Sequence, residues 1–479
     1  MSEKVLILGL SKSGAAAAKF ARKKGYDVYI TESKEIDKIK DELKPHVQEL
    51  KDMGIKIECG HHSEEFISGA AFAVTSPGIP PKSEIFRHLN EKNIKIISEI
   101  EFAYLNTKIP FIVITGTNGK TTTTALVSHI LSKIFDAPVC GNIGVPPTAL
   151  IEENHDFLVC EVSSYQAQMT EKFRAKIACW TNFTPDHIDW HGGLENYFKA
   201  KAKIFLPPQE PEYTILNAKD SRLKEFANEC KNVIFFDSEK ETAVITRNDS
   251  DTAIYREEPM VCHEKQSFSR KDDTPNNAIT RNSYIKDNAI FYGSEKIISL
   301  KDCPLVGHHN YQNIMCGIIT AKLLGMNNED IREQIMSFKA PEHRLEKVRE
   351  MNGITFYNDS KATNPEASIV AIDSFNNQDV ALILGGRDKN TDLTEMCHSI
   401  NKHIKTVLLI GEATERFEKN LAKNGFSNII KERTMEDAID KAISLKPDIV
   451  LLSPACASFD MFNSYEHRGD VFKKYVLSK

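Results

Sequence analysis

The chain has 479 residues, with 61 Lys and Arg against 67 Asp and Glu, a formal net charge of −6 at pH 7. That length predicts about three domains at roughly 150 residues each, and the acidic balance excludes a protein that coats nucleic acid, because binding the phosphate backbone needs a basic surface. No apolar run reaches the roughly 18 residues of a membrane span, and the ten cysteines are scattered without a C-x-x-C pair, which suits reduced thiols better than a disulfide framework or a zinc site.

The first segment begins on a strand at once, "KVLILG", and no cleavable signal is expected. An alanine-rich helix and the strand "DVYI" follow, the opening of a nucleotide-binding βαβ unit. Its glycine pattern is incomplete. Gly9 and Gly14 are present, but Ser11 holds the middle position, where a dinucleotide needs close backbone approach. Full NAD binding is therefore disfavoured, and a plain Rossmann-like scaffold is the simpler alternative. Farther on, "FAVTSPGIP" places Ser76, Pro77 and Gly78 after a short apolar strand, in a turn expected to face a ligand.

The second segment starts near Thr107 and contains "FIVITGTNGKTTTTALVSHI", residues 111–130. A β-branched run, a glycine turn, Gly-Lys-Thr and a helix follow in the order of a phosphate-binding loop. The spacing is short: the usual first glycine position holds Ile114, and the glycine comes at Gly116, three residues before Gly119. A helix N-terminus attracts anions, Lys120 can neutralise phosphate charge, and a hydroxyl of Thr121 or Thr122 can hold Mg²⁺. An ordinary glycine turn is the plain alternative. The strand "FLVCEV" then presents Glu161, a natural Mg²⁺ ligand beside such a loop. Asp186, His187 and Asp189 follow on a loop, and a lone histidine there is as readily structural as functional.

In "YFKAKAKIF", Lys199, Lys201 and Lys203 alternate on a helix. Lys201 points away from the other two and shares a face with Tyr197, which predicts at least partial burial; a solvated lysine face is the alternative. Residues 246–288 are polar and weakly periodic, a surface insertion with short strands or partial disorder and no catalytic role. Asn310 and Asn313 then open another helix.

The third segment begins near Pro341. "ITFYNDSKATNPEAS", "VALILGG", "TVLLIG" and "DIVLLSPACASFDMF" are strand–loop–helix units with polar residues at the strand ends, which predicts a doubly wound sheet with a site at its carboxyl edge.

Taken together in order, "TGTNGKTTT", "GNIG", "EVSSYQ", "DHIDWHG", "HN", "HRLE", "NDSKATNP" and "LLSPACASFDMFNSYEHRG" resemble the Mur ligases, the ATP-dependent amino-acid ligases of peptidoglycan precursor synthesis. The likeness runs from about residue 4 to residue 475, apart from 246–288, and the last motif resembles the D-glutamate-adding branch. It implies an α/β chain of three domains. Residues 1–106 form a Rossmann-like domain for the uridine nucleotide of a UDP-sugar, 107–340 a central P-loop ATPase-like parallel sheet, and 341–479 a Rossmann-like amino-acid domain. The shortened loop is the form this family uses. Its γ-phosphate goes to a substrate carboxylate, and the acyl phosphate is attacked by an amine.

The resemblance also implies roles. Gly116, Thr117, Asn118, Gly119, Lys120, Thr121 and Thr122 would hold the triphosphate of ATP, and Asn313, Arg344 and Asp359 would close on adenine, phosphates and ribose. Thr121 and Glu161 would hold one Mg²⁺; His187 and a carbamylated Lys201 would hold a second. Lys120, Glu161, His187 and Lys201 would be the catalytic set. Lys12, Ser13, Glu32, Ser76, Asn142, Ser163 and Gln166 would meet UDP-N-acetylmuramoyl-L-alanine, and Lys361, Thr363, Lys389, Ser458 and Tyr465 would meet D-glutamate. Glu32 stands where the family usually has aspartate, and Tyr465 where phenylalanine is common. Small molecules are the expected partners of a cytoplasmic monomer, without nucleic acid or membrane, and a hinge is expected near residues 338–345. A sister ligase, including a folylpolyglutamate-synthase-like one, is the second reading, and a non-catalytic nucleotide-binding regulator the third.

Overall fold

The computed structural model describes all residues except 1, 40–43, 238–281, 306, 340–341, 376–377 and 389. The chain divides into two compact units, one of Met1–Thr117, Leu131–Lys301 and Met315–Ile331, the other of Asn118–Ile130, Asp302–Ile314 and Arg332–Lys479.

The first unit contains two sheets. The N-terminal sheet is wholly parallel, in the spatial order Lys56–Cys59, Asp27–Glu32, Lys4–Leu8, Phe72–Thr75, Lys95–Ser98. Val5, Leu6, Ile7 and Leu8 are all fully buried, as expected of a strand covered on both faces. The helix Lys12–Lys23 follows, and Ser11 is its N-cap, accepting from the Gly14 amide at 3.1 Å. Ser11 at the middle glycine position is thus a capping residue. Gly14 cannot be replaced in the same way, since a Cβ there would lie 2.1 Å from the Gly9 carbonyl oxygen.

The second sheet has nine strands. Val139–Gly141, Leu158–Glu161, Phe111–Thr115, Ile177–Trp180, Tyr213–Asn217 and Val233–Phe236 run parallel in that spatial order. Ser283–Lys286, Ala289–Tyr292 and Glu295–Ser299 then add an antiparallel meander. The central sheet is therefore mixed rather than purely parallel, because short turns join its last strands where helical crossovers join the others. The first of the meander strands falls within the stretch read as an insertion; residues 246–281 of that stretch lie outside the described residues. Trp180 is fully buried and packs against Phe198, Phe205 and Phe226, with ring centroids 5.0–5.5 Å away.

Two buried carboxylates tie the N-terminal sheet's last helix, Glu99–Tyr104, to the central sheet. Glu101 accepts from the backbone N–H groups of Glu171, Lys172 and Phe173 at 2.8–3.0 Å. Glu99 accepts from the amide and hydroxyl of Thr148 at 2.7 and 2.6 Å. Burial outweighs those two bonds and pushes the Glu99 carboxyl up to about 7. An acid raised in the folded state holds its proton where the unfolded chain has lost it. Its contribution to stability is therefore full below the ordinary carboxylate range and disappears as pH rises to about 7. Glu99→Gln keeps an acceptor for Thr148 without the titration. The stability of the variant relative to wild type, followed by thermal melts, is expected to rise between pH 4.5 and pH 7.5 by an amount on the order of 3 kcal/mol. Parallel melting curves across that range would refute the assignment.

In the second unit the sheet order is Glu346–Met351, Ile354–Asn358, Ile449–Leu452, Val380–Gly385, Thr406–Ile410, Ile429–Lys431. Only the edge strand Glu346–Met351 is antiparallel. The doubly wound character expected of the third segment is present, with an added edge hairpin.

Candidate active site

The phosphate loop leaves the carboxyl end of Phe111–Thr115. Ile114 is a fully buried strand residue paired with Glu161 on one side and Cys179 on the other. No glycine is needed there, because the backbone has not yet left the sheet. The turn comes at Gly116, where a Cβ would lie 2.0 Å from Thr181 Oγ1. Thr117 is anchored next: its N–H donates to the Asn182 carbonyl at 3.0 Å and its hydroxyl to the Thr184 carbonyl at 3.1 Å. The Tyr197 hydroxyl lies 3.2 Å from the same oxygen, so Tyr197 is the donor of that pair.

Lys201 is 2% exposed and donates from Nζ to the Gly116 carbonyl at 2.8 Å, with the amine 5.0 Å from the Tyr197 ring centroid. Tyr197 is 1% exposed. The shared buried face expected of these two is present. Lys199 is exposed, and Lys203, in the turn Lys203–Phe205 after the helix ends at Ala202, is half-buried and donates to the Gln168 carbonyl at 3.0 Å.

Glu161 ends its strand 1% exposed. Its Oε1 accepts from Asn142 Nδ2 at 2.8 Å, while Oε2 is buried with no hydrogen-bond partner among the described residues. A buried carboxylate oxygen left unpaired is costly. It fits a hard cation, which takes carboxylate oxygens, and Asn142 orients the group. His187 sits in the left-handed region at φ 50°, with Nε2 3.3 Å from Asp186 Oδ2 and its ring 5.0 Å from Tyr165. Tyr165 also packs on Trp190 at 4.4 Å and on His191 at 5.6 Å. The sequence reading passed over this aromatic group, because Tyr165 precedes His187, Trp190 and His191 by 22 residues or more.

Ser163 and Gln166 cap each other. The Gln166 amide donates to Ser163 Oγ at 3.3 Å, and Gln166 Oε1 accepts from the Ser163 amide and hydroxyl at 3.0 Å. Gln166 also lines a cleft with Ser76, Phe86, Tyr165 and Trp190. In the N-terminal crevice, Ser11 Oγ lies 2.8 Å from Ser76 Oγ and 3.0 Å from Ser13 Oγ. Glu32 accepts from the Leu10 amide at 2.9 Å, and Lys12 is exposed at the start of its helix. Ser11, Ser13, Glu32 and Ser76 thus gather at one sheet edge.

The second unit carries the other half of the loop. Lys120 begins the helix Lys120–Leu131, and Thr124 Oγ1 donates to its carbonyl at 2.8 Å. Thr123 donates to Asn313 Oδ1 at 2.9 Å, and a Cβ on Gly119 would lie 2.8 Å from that oxygen. Arg344 donates from Nη2 to Thr121 Oγ1 at 3.1 Å. His343 and Leu345 on either side have φ of 64° and 42°. Two strained residues flanking one arginine mark a turn held for its side chain. Asn358 braces that turn, donating to His343 Nδ1 at 2.9 Å and Glu346 Oε2 at 3.1 Å. Asn118 and Thr122 lie in the same loop and first turn.

Asp359 is buried, accepts from Ser453 Oγ at 2.8 Å and the Leu345 amide at 3.2 Å, and is pushed up to about 7 by burial. Lys361 lies 5.3 Å from the Tyr465 ring centroid. Thr363 is half-buried, Ser458 is 2% exposed, and Lys389 lies outside the described residues. Arg468, 1% exposed, gathers this group. It donates to Ser360 Oγ at 3.0 Å, the Ser360 carbonyl at 2.8 Å and the Cys456 carbonyl at 3.0 Å. Its only signal in the sequence was the "RG" closing the last motif.

Among the described residues no helix is long and apolar enough to cross a membrane, and the nine described cysteines are free thiols.

Three family descriptions match in chain order: the Mur ligase MurD-like N-terminal domain over residues 3–98, the Mur ligase middle domain over 114–321 and the Mur ligase glutamate ligase domain over 343–456. The UDP-N-acetylmuramoylalanine--D-glutamate ligase of Thermoanaerobacter pseudethanolicus is 37% identical over 488 residues, covering 99% of this chain and 98% of that protein. The enzyme of the same name from Caldicellulosiruptor bescii is 37% identical over 482 residues, covering 98% and 97%. The crystal structure of the UDP-N-acetylmuramate-alanine ligase of Thermotoga maritima superposes with a TM-score of 0.58 at 16% identity, over 99% of this chain and 100% of that one, a likeness of fold. The three matches fall in turn on the three sheets that carry the Ser11–Glu32–Ser76 crevice, the phosphate loop and the Arg468 cluster, and the chain belongs to the Mur ligase family.

Proposed function

We propose that this chain is an ATP-dependent amide ligase that joins D-glutamate to UDP-N-acetylmuramoyl-L-alanine in peptidoglycan precursor synthesis, acting as a cytoplasmic monomer. One observation carries the chemistry. The strand that delivers the phosphate loop pairs with the strand ending on Glu161, whose buried Oε2 lacks a partner among the described residues. The choice of D-glutamate rests on full-length relatives that bear that enzyme's name. Domain boundaries are proposed at 106/107 and 340/341.

In this reading the loop from Gly116 to Thr122 holds the triphosphate, with Asn313, Arg344 and Asp359 on the nucleotide. The L-alanyl carboxylate oxygen attacks the γ-phosphorus and ADP leaves, giving an acyl phosphate. The D-glutamate amine attacks the acyl carbon, loses a proton and expels phosphate. The protein's work is positioning and charge neutralisation. Thr121, Glu161, His187 and a carbamylated Lys201 are the residues that would hold Mg²⁺, which when bound neutralises charge on the transferring phosphoryl group. Lys361, Thr363, Lys389, Ser458 and Tyr465 would hold D-glutamate. Lys12, Ser13, Glu32 and Ser76 would face the uridine nucleotide, and Asn142, Ser163 and Gln166 the muramoyl part.

The test is phosphate release with ATP, UDP-N-acetylmuramoyl-L-alanine and one amino acid at a time. Release with D-glutamate and not with L-glutamate, D-alanine or L-lysine is expected. Release with a different amino acid would make the chain a sister ligase, and no release with any would favour the nucleotide-binding regulator.

A further inference from the structure

One glycine inside a helix of the second unit has no local reason to be there. Gly469 is buried in the helix Tyr465–Ser478, and no left-handed φ calls for a glycine at that position. Glycine in a helix interior costs stability relative to alanine. The reason here is space. A Cβ on Gly469 would lie 2.1 Å from His343 Nδ1, 2.8 Å from Cε1 and 3.0 Å from Cγ. The His343 ring lies against bare helix backbone, in a socket that only glycine leaves open.

His343 is held at its backbone and at its ring. Its amide donates to Glu346 Oε2 at 2.9 Å, and its carbonyl accepts from the Lys361 amide at 3.1 Å. Asn358 fixes the ring. Its Oδ1 accepts from the Ser360 amide at 3.1 Å, which orients the side-chain amide. Nδ2 then has one hydrogen for Glu346 Oε2 at 3.1 Å and one for His343 Nδ1 at 2.9 Å. Nδ1 is therefore an acceptor, and the hydrogen of the neutral ring sits on Nε2. Nε2 lies 3.7 Å from Asp470 Oδ1 and 4.0 Å from Glu342 Oε2. That trio has the spacing of a cation site, but a cation at Nε2 would have to displace this hydrogen, and Lys473 already pairs with Glu342 at 3.1 Å. The cluster acts mechanically instead. It pins His343 at φ 64°, in the left-handed region uncommon for a residue other than glycine. Arg344 follows, and then Leu345 at φ 42°, whose amide is tied to Asp359 Oδ1 at 3.2 Å. Arg344 is carried between two anchored residues, so its direction follows from theirs, and its Nη2 reaches Thr121 Oγ1 at 3.1 Å.

We propose that Gly469 is a positioning residue for Arg344: its missing side chain admits the His343 ring, and the seated ring sets the turn that aims the guanidinium at the phosphate loop. The inference rests on the nucleotide-binding reading of that loop given above. Gly469 meets neither nucleotide nor reacting atoms. It acts through His343 and the strained backbone on either side of Arg344.

The experiment is calorimetric titration of the full chain with adenylyl imidodiphosphate, a non-hydrolysable ATP analogue, in the presence of Mg²⁺. Gly469→Ala is expected to bind it about tenfold more weakly than wild type, the worth of one hydrogen bond to a charged group. Two double mutants separate positioning from general damage. In an Arg344→Ala background, Gly469→Ala is expected to cost no more than about twofold further, because the guanidinium it misaims is gone. In a His343→Gly background no ring occupies the socket and glycine accepts the left-handed φ, so the same substitution is again expected to cost no more than about twofold. Should Gly469→Ala fail to fold, Asn358→Ser withdraws the hydrogen bond to Nδ1 without adding bulk. It is expected to weaken analogue binding in the wild-type background and to be silent with Arg344→Ala. Analogue binding at the wild-type level in the folded single variant, or an undiminished loss in a double mutant, overturns the proposal while leaving the nucleotide site in place. Wild-type affinity in Arg344→Ala itself, or a wild-type chain that does not bind the analogue, overturns the nucleotide reading and this inference with it.

Discussion

Lys120→Ala is expected to lower kcat by about 10³-fold or more, on the order of 4 kcal/mol of transition-state stabilisation, with a melting temperature close to wild type. The two expectations have separate causes. Lys120 is the first residue of its helix and only half-buried, so truncating it opens no core cavity. Its backbone carbonyl, which accepts from Thr124 Oγ1, is untouched by the substitution. Its charge, however, stands at the end of a helix whose free N–H groups already favour an anion, where a phosphoryl group accumulates charge on transfer. Removing a contact made mainly in the transition state lowers kcat and kcat/KM together. Single-turnover phosphate release alongside a thermal melt checks both halves. Turnover within tenfold of wild type would remove Lys120 from the phosphate site.

Lys201→Ala is the second large effect, and here structure and chemistry must be separated. Lys201 is one of the largest fully buried side chains, and its Nζ holds the Gly116 carbonyl. Alanine would remove that bond and leave a cavity beside Tyr197, a loss of about 2–4 kcal/mol in stability by size alone. The chemical role is different. In the proposed role the buried amine, once deprotonated, would attack CO₂, forming the N–C bond and losing a proton, and the resulting carbamate oxygen would suit a hard cation. We expect Lys201→Ala to lose about 10³-fold in activity and to regain part of it with millimolar acetate, whose carboxylate fills the same space. Lys201→Met, which preserves volume, should be equally inactive and not rescued, because no room is left. Lys199→Ala should stay within about threefold, since Lys199 is exposed. Acid-quenched mass spectrometry is no substitute, since carbamates are lost in acid. A fully active Lys201→Met, or inactivation by Lys199→Ala instead, sinks the assignment.

Much of this protein was legible before its fold. Each sheet announced itself in apolar runs such as "KVLIL", "FIVIT" and "VALILG", because strands buried on both faces have no polar side to disguise them. The phosphate loop was legible because its parts are contiguous: strand, glycine turn, Gly-Lys-Thr and helix need no distant partner to be recognised. The burial of Lys201 followed from helical phase alone, four residues after Tyr197.

What only the tertiary structure decided depends on residues that meet across the chain. Ser11 looked like a defect in a glycine pattern until its hydroxyl was seen capping a helix and touching Ser76, 65 residues away. Asn142, just past the end of a neighbouring strand, also orients Glu161 through its amide, a contact no local pattern announces. The reciprocal cap between Ser163 and Gln166, which fixes both side chains, is likewise a matter of the folded backbone. The mixed character of the central sheet was missed because a short antiparallel meander and a short parallel strand have the same local pattern. Arg468 was passed over because an arginine buried on carbonyls 108 and 12 residues away has no periodicity to betray it. Periodicity along a chain reports which face is buried, whereas a polar group's role is set by the partner that folding brings to it.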